Sequence, residues 1–129
     1  MATVMKQYRG GGRRELGAWG EGAAARFLEG WGYSIRETNY RCPEGEIDIV
    51  ARKGDCLVFV EVRSRRSLNF GTPEESVTAA KKQKLANTAL HYMATHPDLP
   101  AQWRVDVVAL EVGSQGEVRR LEHIEDALS

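Results

Sequence analysis

Asp48 and Glu61 are the residues whose types and spacing first suggest chemistry. They lie in two runs of strand character, Glu46 to Arg52 and Cys56 to Ser64, joined by Lys53-Gly54-Asp55. That link suits a tight hairpin, with glycine at the first central position of a type II′ turn. Opposed residues of an antiparallel pair have numbers that sum to a constant, and a two-residue Gly54-Asp55 loop sets that constant at 109. Asp48 then faces Glu61, Glu46 faces Arg63 and Val50 faces Phe59. Alternation along the strands puts these six on one side of the sheet, and Ile47, Ile49, Val58, Val60 and Val62 on the other, as a core face. Directly opposed Cβ atoms are about 4.5 to 5.5 Å apart. Two carboxylates that close repel and need a cation. Either Arg63 supplies it, leaving a charged strand face balanced by arginines, or a divalent metal does, since Mg²⁺ takes one or two carboxylates with waters and phosphate oxygens. The metal reading gains from Glu61, an acid inside Val58-Phe59-Val60-Glu61-Val62-Arg63 with no local structural reason to be there.

Other elements must hold this hairpin in place. From Glu15 to Trp31 the spacing predicts a helix with Leu16, Gly20, Ala23, Ala24, Phe27 and Trp31 on one face, Glu21 at the margin of that face, and Gly32 to end it. Packing of that helix beside the sheet brings Glu21 toward the same pocket. Tyr33 to Arg41 reads as the first strand, and Pro43 with Gly45 marks the turn into the second. Thr72-Pro73-Glu74-Glu75 reads as a helix start, with Thr as N-cap, Pro at the first helical position and Glu three residues after the cap. That helix is expected to run to about Thr95, burying Val77, Ala80, Leu85, Ala89, Tyr92 and Met93. Trp103 to Val112 reads as an inner strand, so strand, helix and strand form a right-handed parallel crossover. Residues 117 to 129 add an edge strand and a frayed end. The prediction is one α/β domain over 15–129, preceded by a flexible basic arm over 1–14 carrying Gly10-Gly11-Gly12.

The composition narrows the class. A chain of 129 residues with 42% hydrophobic and 28% charged positions buries enough surface to fold without disulfides or a structural metal. No run approaches the roughly 18 apolar residues of a membrane span, and the first residues lack the apolar stretch of a secretory signal, so a cytoplasmic protein is expected. The 18 basic and 18 acidic residues exclude a uniformly basic, histone-like composition. They fall in blocks of net +4, −4, +4 and −4 over 1–14, 15–61, 62–84 and 85–129. Such alternation fits a polyanion-facing side and an acidic pocket on one molecule.

Five ordered blocks carry a resemblance: Gly20-Glu21-Gly22 with Ala24, Asn39-Tyr40-Arg41, Gly45-Glu46-Ile47-Asp48-Ile49-Val50, Val58 through Arg65, and Arg104-Val105-Asp106-Val107-Val108. Over residues 15 to 112 the chain resembles the YraN-like family of small bacterial proteins. That family is similar to archaeal Holliday-junction resolvases and to the wider restriction-endonuclease-like nucleases. The resemblance implies a restriction-endonuclease-like α/β fold: helix, three antiparallel strands, crossover helix, parallel strand and an edge strand. It implies Mg²⁺ or Mn²⁺ as cofactor, held by Asp48 and Glu61. Arg63 takes the position of the catalytic lysine, Glu21 that of an acid on the first helix, and Gln83 that of a polar helix residue near the site. Arginine at position 63 stays protonated and is no general base, although it can orient a water or stabilise charge growing on phosphate.

The expected function is therefore divalent-metal-dependent phosphodiester hydrolysis on branched or distorted DNA; the alternative is a DNA-binding protein that keeps the nuclease fold without cleaving. Arg41, Arg65, Arg66, Lys81, Lys82 and Lys84 are the candidate phosphate contacts, giving salt-sensitive binding nearly independent of sequence. A homodimer is one arrangement open to such a chain. His91, His96 and His123 share no ligand spacing, and His96 is placed to cap the second helix. Cys42 and Cys56 read as small apolar fillers, Trp19, Trp31 and Trp103 as core, and Arg104 with Asp106 as either an ion pair or support for the site.

Overall fold

A computed structural model describes residues 7–66 and 71–128. The chain forms α1 (Arg13–Gly30), β1 (Ser34–Cys42), β2 (Gly45–Lys53), β3 (Cys56–Arg65), a 3₁₀ turn (Glu74–Ser76), α2 (Ala79–Ala94), β4 (Gln102–Val112) and β5 (Val118–Ile124). The strands make one sheet in sequence order, with β3 and β4 parallel and the other neighbours antiparallel. This is a mixed α/β architecture with the expected crossover through α2. Among the described residues no helix is long and apolar enough to cross a membrane.

The two helices cover opposite faces. On one, α1 packs Ala23, Ala24 and Leu28 against Ile49, Ala51, Val58, Val60, Val108 and Leu110. On the other, Leu85, Ala89 and Tyr92 of α2 pack against Ile47, Val50, Leu57, Phe59, Val105 and Val107. A sheet covered on both faces explains why the central strands are apolar at both parities. Helix α1 ends as expected: Gly32 sits at φ +89°, with Gly32 N–H donating to Glu29 O and Tyr33 N–H to Leu28 O, the double bond of a Schellman cap. Trp31 is not on the buried face. It lies at the cap, 66% exposed, and Leu28 fills the core position instead.

The second helix starts later than predicted. Thr72 and Glu75 do form the anticipated cap, Thr72 N–H and Oγ1–H both donating to Glu75 Oε1 at 3.0 and 2.7 Å, but it closes only the 3₁₀ turn. Thr78 then caps α2 by accepting from Lys81 N–H, and Ala80 in its first turn is exposed. His96 caps the other end, its Nδ1 2.8 Å from Tyr92 O and its ring stacked on Tyr92.

Residues 1–6 of the predicted arm lie outside the described residues. The rest of it is structured. Tyr8 is buried, its N–H donates to Gly116 O at 2.8 Å, and its ring meets Trp19; Arg13 and Arg14 belong to α1.

Candidate functional site

The hairpin register is the predicted one. Ile49 faces Val60, Val50 faces Phe59 and Lys53 faces Cys56, with Gly54 at φ +60° in the turn. The ladder between β2 and β3 stops at Ile49 and Val60, one step short of Asp48 and Glu61. There the Asp48 side chain takes over from the backbone, accepting from Val62 N–H at 2.8 Å.

A break in alternation accompanies this substitution. Thr38 faces Ile49 and Tyr40 faces Ile47, while Asn39, between them and opposite Asp48, is in the left-handed region at φ +55°. Asparagine tolerates that conformation better than most residues. The two flanking isoleucines consequently serve opposite faces, Ile47 in the α2 cluster and Ile49 in the α1 cluster. Ile47 and Ile49 therefore do not share one face, contrary to expectation: a local kink re-aims Asp48, as irregularities in strands do next to functional sites.

Asp48 thereby reaches acids from both sides. Glu21, projecting from α1, and Glu61, on β3, are each hydrogen-bonded to it. Glu61 is one of three buried polar or charged residues among those described. Burial first, and then the charge of Asp48, pushes Glu61 up to about 7, against the opposing pull of Lys81 and Arg63. Burial and Asp48 likewise push Glu21 up to about 7, with a further contribution from Glu46. Gly20, the residue before Glu21, lets α1 come this close: a Cβ there would lie 2.0 Å from Ser64 Oγ of β3.

Two cations border the acids. Arg63 Nη2 is 2.8 Å and Lys81 Nζ 3.6 Å from Glu61 Oε2. Arg63 pairs with Glu61 rather than with Glu46, whose partner is Arg41 at 3.5 Å. Arg63 Nε is buried with no hydrogen-bond partner among the described residues. Beyond it opens a groove of about 620 Å³ between the start of α1 and the end of β3, lined by Arg13, Arg63, Arg65 and Arg66 among others. Lys84 and Lys81 line a second hollow, with Arg41 and Glu46, at the other side of the acids. Lys82 is half-buried on α2. Gln83 stays apart: it is exposed and hydrogen-bonds Asn87.

The chemistry of this donor set is that of a hard divalent cation. Three carboxylates from three elements are held together against their repulsion, two of them pushed toward neutrality, and oxygen-only ligands suit Mg²⁺ or Mn²⁺ rather than softer metals. Arg104 and Asp106 are accounted for otherwise. Asp106 is fully buried and accepts from Arg104 Nε, from Asp126 N–H and from His123 Nε2, at 2.8 to 3.0 Å. Against the upward push of burial, the hydrogen bonds from His123 and Arg104 hold its carboxyl below the ordinary value. It is a structural network under β4 and β5.

One grouping was not legible in the sequence. Cys42, Glu44 and His91 each place a ligand atom within 4.8 Å of the others. Two come from the β1–β2 turn and the third from α2, 47 residues beyond Glu44, so no spacing rule joins them.

Known proteins share this arrangement of sequence. The profile described as "Uncharacterised protein family UPF0102" matches residues 20–110, a span holding Glu21, Asp48, Glu61, Arg63 and Lys81. A UPF0102 protein of Roseiflexus castenholzii is 49% identical over 116 residues, covering 88% of this chain and 93% of its own. One from Dehalococcoides mccartyi is 49% identical over 116 residues, 90% and 94% of the two chains. One from Chloroflexus aurantiacus is 52% identical over 100 residues, 76% and 80% of the two chains. With the profile spanning most of the chain and full-length relatives near half identity, the chain belongs to the UPF0102 family, the YraN-like proteins.

Proposed function

We propose that this protein is a restriction-endonuclease-like, Mg²⁺- or Mn²⁺-dependent nuclease that hydrolyses phosphodiester bonds in branched or distorted DNA. The observation that carries the reading is the meeting of Glu21, Asp48 and Glu61, from α1, β2 and β3, beside Arg63 and Lys81. A stable fold has no use for three adjoining carboxylates, whose repulsion costs stability.

Asp48 and Glu61 would hold the metal, with Glu21 bearing on it through Asp48. A divalent ion so held polarises a phosphoryl oxygen and lowers the pKa of a bound water. The chain's own residues do the rest. Val62 N–H fixes the Asp48 carboxylate. Arg63, permanently charged, pairs with Glu61 while its Nε remains available to a phosphate oxygen. Lys81 adds a second positive charge where negative charge grows on the transferred phosphoryl group. Arg13, Arg65 and Arg66 line the groove leading away from the acids and would track the adjoining backbone.

Arg63 also favours the second reading. Committed to Glu61 and unable to take a proton, it suits a DNA-binding protein that keeps the fold without cleavage. One experiment separates the two: labelled junction, flap, single-stranded and linear duplex DNA incubated with Mn²⁺, wild type beside Asp48→Ala. The nuclease reading expects cleavage of branched substrates, reduced at least about 100-fold in the variant, the scale of losing one charge-stabilising group. Binding without cleavage in either protein establishes the second reading, and neither binding nor cleavage ends both.

A further inference from the structure

We propose that Cys42, Glu44 and His91 form a separate site for a borderline-soft transition metal of the zinc class, a clasp fastening the β1–β2 turn to α2. The inference does not depend on the nuclease reading. A thiol, a carboxylate and an imidazole lie with one ligand atom apiece inside 4.8 Å of one another. His91 Nδ1 and Glu44 Oε2 are 2.9 Å apart. An ion pair alone explains those two, but it gives the Cys42 thiol no reason to be the third member of the group.

The surrounding structure brings the ligands together without strain on them. Cys42 faces Gly45 across the turn, and Gly45 is at φ +151°. A Cβ on Gly45 would come within 2.8 Å of Thr88 Oγ1, so the turn rests directly on α2. Thr88 and His91 are three residues apart on a helix and share that face. Tyr40, two residues before Cys42, packs edge-on against Tyr92 of α2 and hydrogen-bonds the Cys42 side chain. The donor set distinguishes this place from the carboxylate cluster: sulfur, nitrogen and oxygen together select zinc-like ions, where oxygen alone selects magnesium-like ones. Three protein ligands leave a fourth tetrahedral position open. It lies next to the hollow of about 480 Å³ that Cys42 lines with Arg41, Lys81 and Lys84, whose charges suit an anionic or water ligand there.

The test uses the full chain, freed of metal by a chelator and titrated with Co²⁺ alone, followed by Zn²⁺ competition. The expected result is one Co²⁺ per chain with a near-ultraviolet thiolate-to-cobalt charge-transfer band, displaced by Zn²⁺. Cys42→Ser should abolish the band, and His91→Gln should weaken binding about 100-fold, the upper end of what even supporting residues of metal sites contribute. Cys56→Ser and Asp48→Ala should leave the band unchanged, circular dichroism confirming that every variant folds. Absence of the band in the wild type, its persistence in Cys42→Ser, or unchanged affinity in His91→Gln overturns the proposal. None of these outcomes depends on DNA cleavage, so the nuclease reading stands or falls apart from this one.

Discussion

Glu61 gives the protein an unusual dependence on pH. A carboxyl held near 7 in the folded state, against 4.5 ordinarily, favours folding while it is protonated. The favourable contribution is complete below the ordinary value and is lost as pH rises through about 7. Without divalent metal, the melting temperature should therefore fall between about pH 5 and pH 8, by a free energy on the order of 3 kcal/mol. Glu61→Gln should flatten that profile and raise stability at pH 8; thermal melts across the range with chelator present check it. Added Mn²⁺ should restore wild-type stability at pH 8 and leave Glu61→Gln unmoved. Asp106 offers the contrast of a buried acid that is fully partnered. Asp106→Ala strands Arg104 and His123 and should cost roughly 3 kcal/mol in chemical denaturation, with no pH signature near 7.

At the scale of elements, the closeness of α1 to β3 is what brings Glu21 into play. Gly20→Ala would drive a methyl into Ser64, and overpacking of this kind costs about 1 to 3 kcal/mol. Gly17→Ala, one turn earlier with open space around it, should instead stabilise by about 0.5 to 1 kcal/mol. If the helix is displaced by the first change, cleavage should fall with it, and a denaturation curve and an activity assay on both variants decide the point. The hairpin register was legible because the two-residue Gly54-Asp55 loop leaves one pairing, and the Gly32 cap because only a few residue types accept that conformation. The kink at Asp48 was not legible. Its cause is Asn39, a residue on the neighbouring strand, and strict alternation carried through it puts Ile47 on the wrong face. The start of α2 escapes the sequence for a similar reason: Thr72 and Glu75 make a real cap, and nothing local says it stops after one turn. His91 could not be joined to Cys42 and Glu44 without the docking of α2 on the β1–β2 turn.

Across the whole molecule, zero net charge conceals a division of labour. Arg13, Arg65 and Arg66 gather along one groove although they come from opposite ends of the first half of the chain, and the acids sit at its end. Binding to DNA in that groove should weaken steeply with salt. Replacing Arg65 and Arg66 together by alanine should lower the slope of log K against log salt by about 1 for each phosphate no longer neutralised, and alike for all sequences. Fluorescence anisotropy at several salt concentrations measures it. An unchanged slope would return these residues to ordinary solvated charge. Arg66, whose guanidinium also lies over the Tyr8 ring, ties the groove to the pinned segment before α1.

The parallel pairing of β3 with β4 has a consequence for the newly made chain. Every residue of the carboxylate cluster is synthesised before β4, so the hairpin and α1 can assemble while one edge of β3 still has no neighbour. An open edge reading Val58-Phe59-Val60 and Val62 is the kind that recruits strands from other molecules. Glu61 interrupts that run, and before β4 arrives its charge acts as a gatekeeper against aggregation. The acid that burdens the finished fold protects the unfinished one.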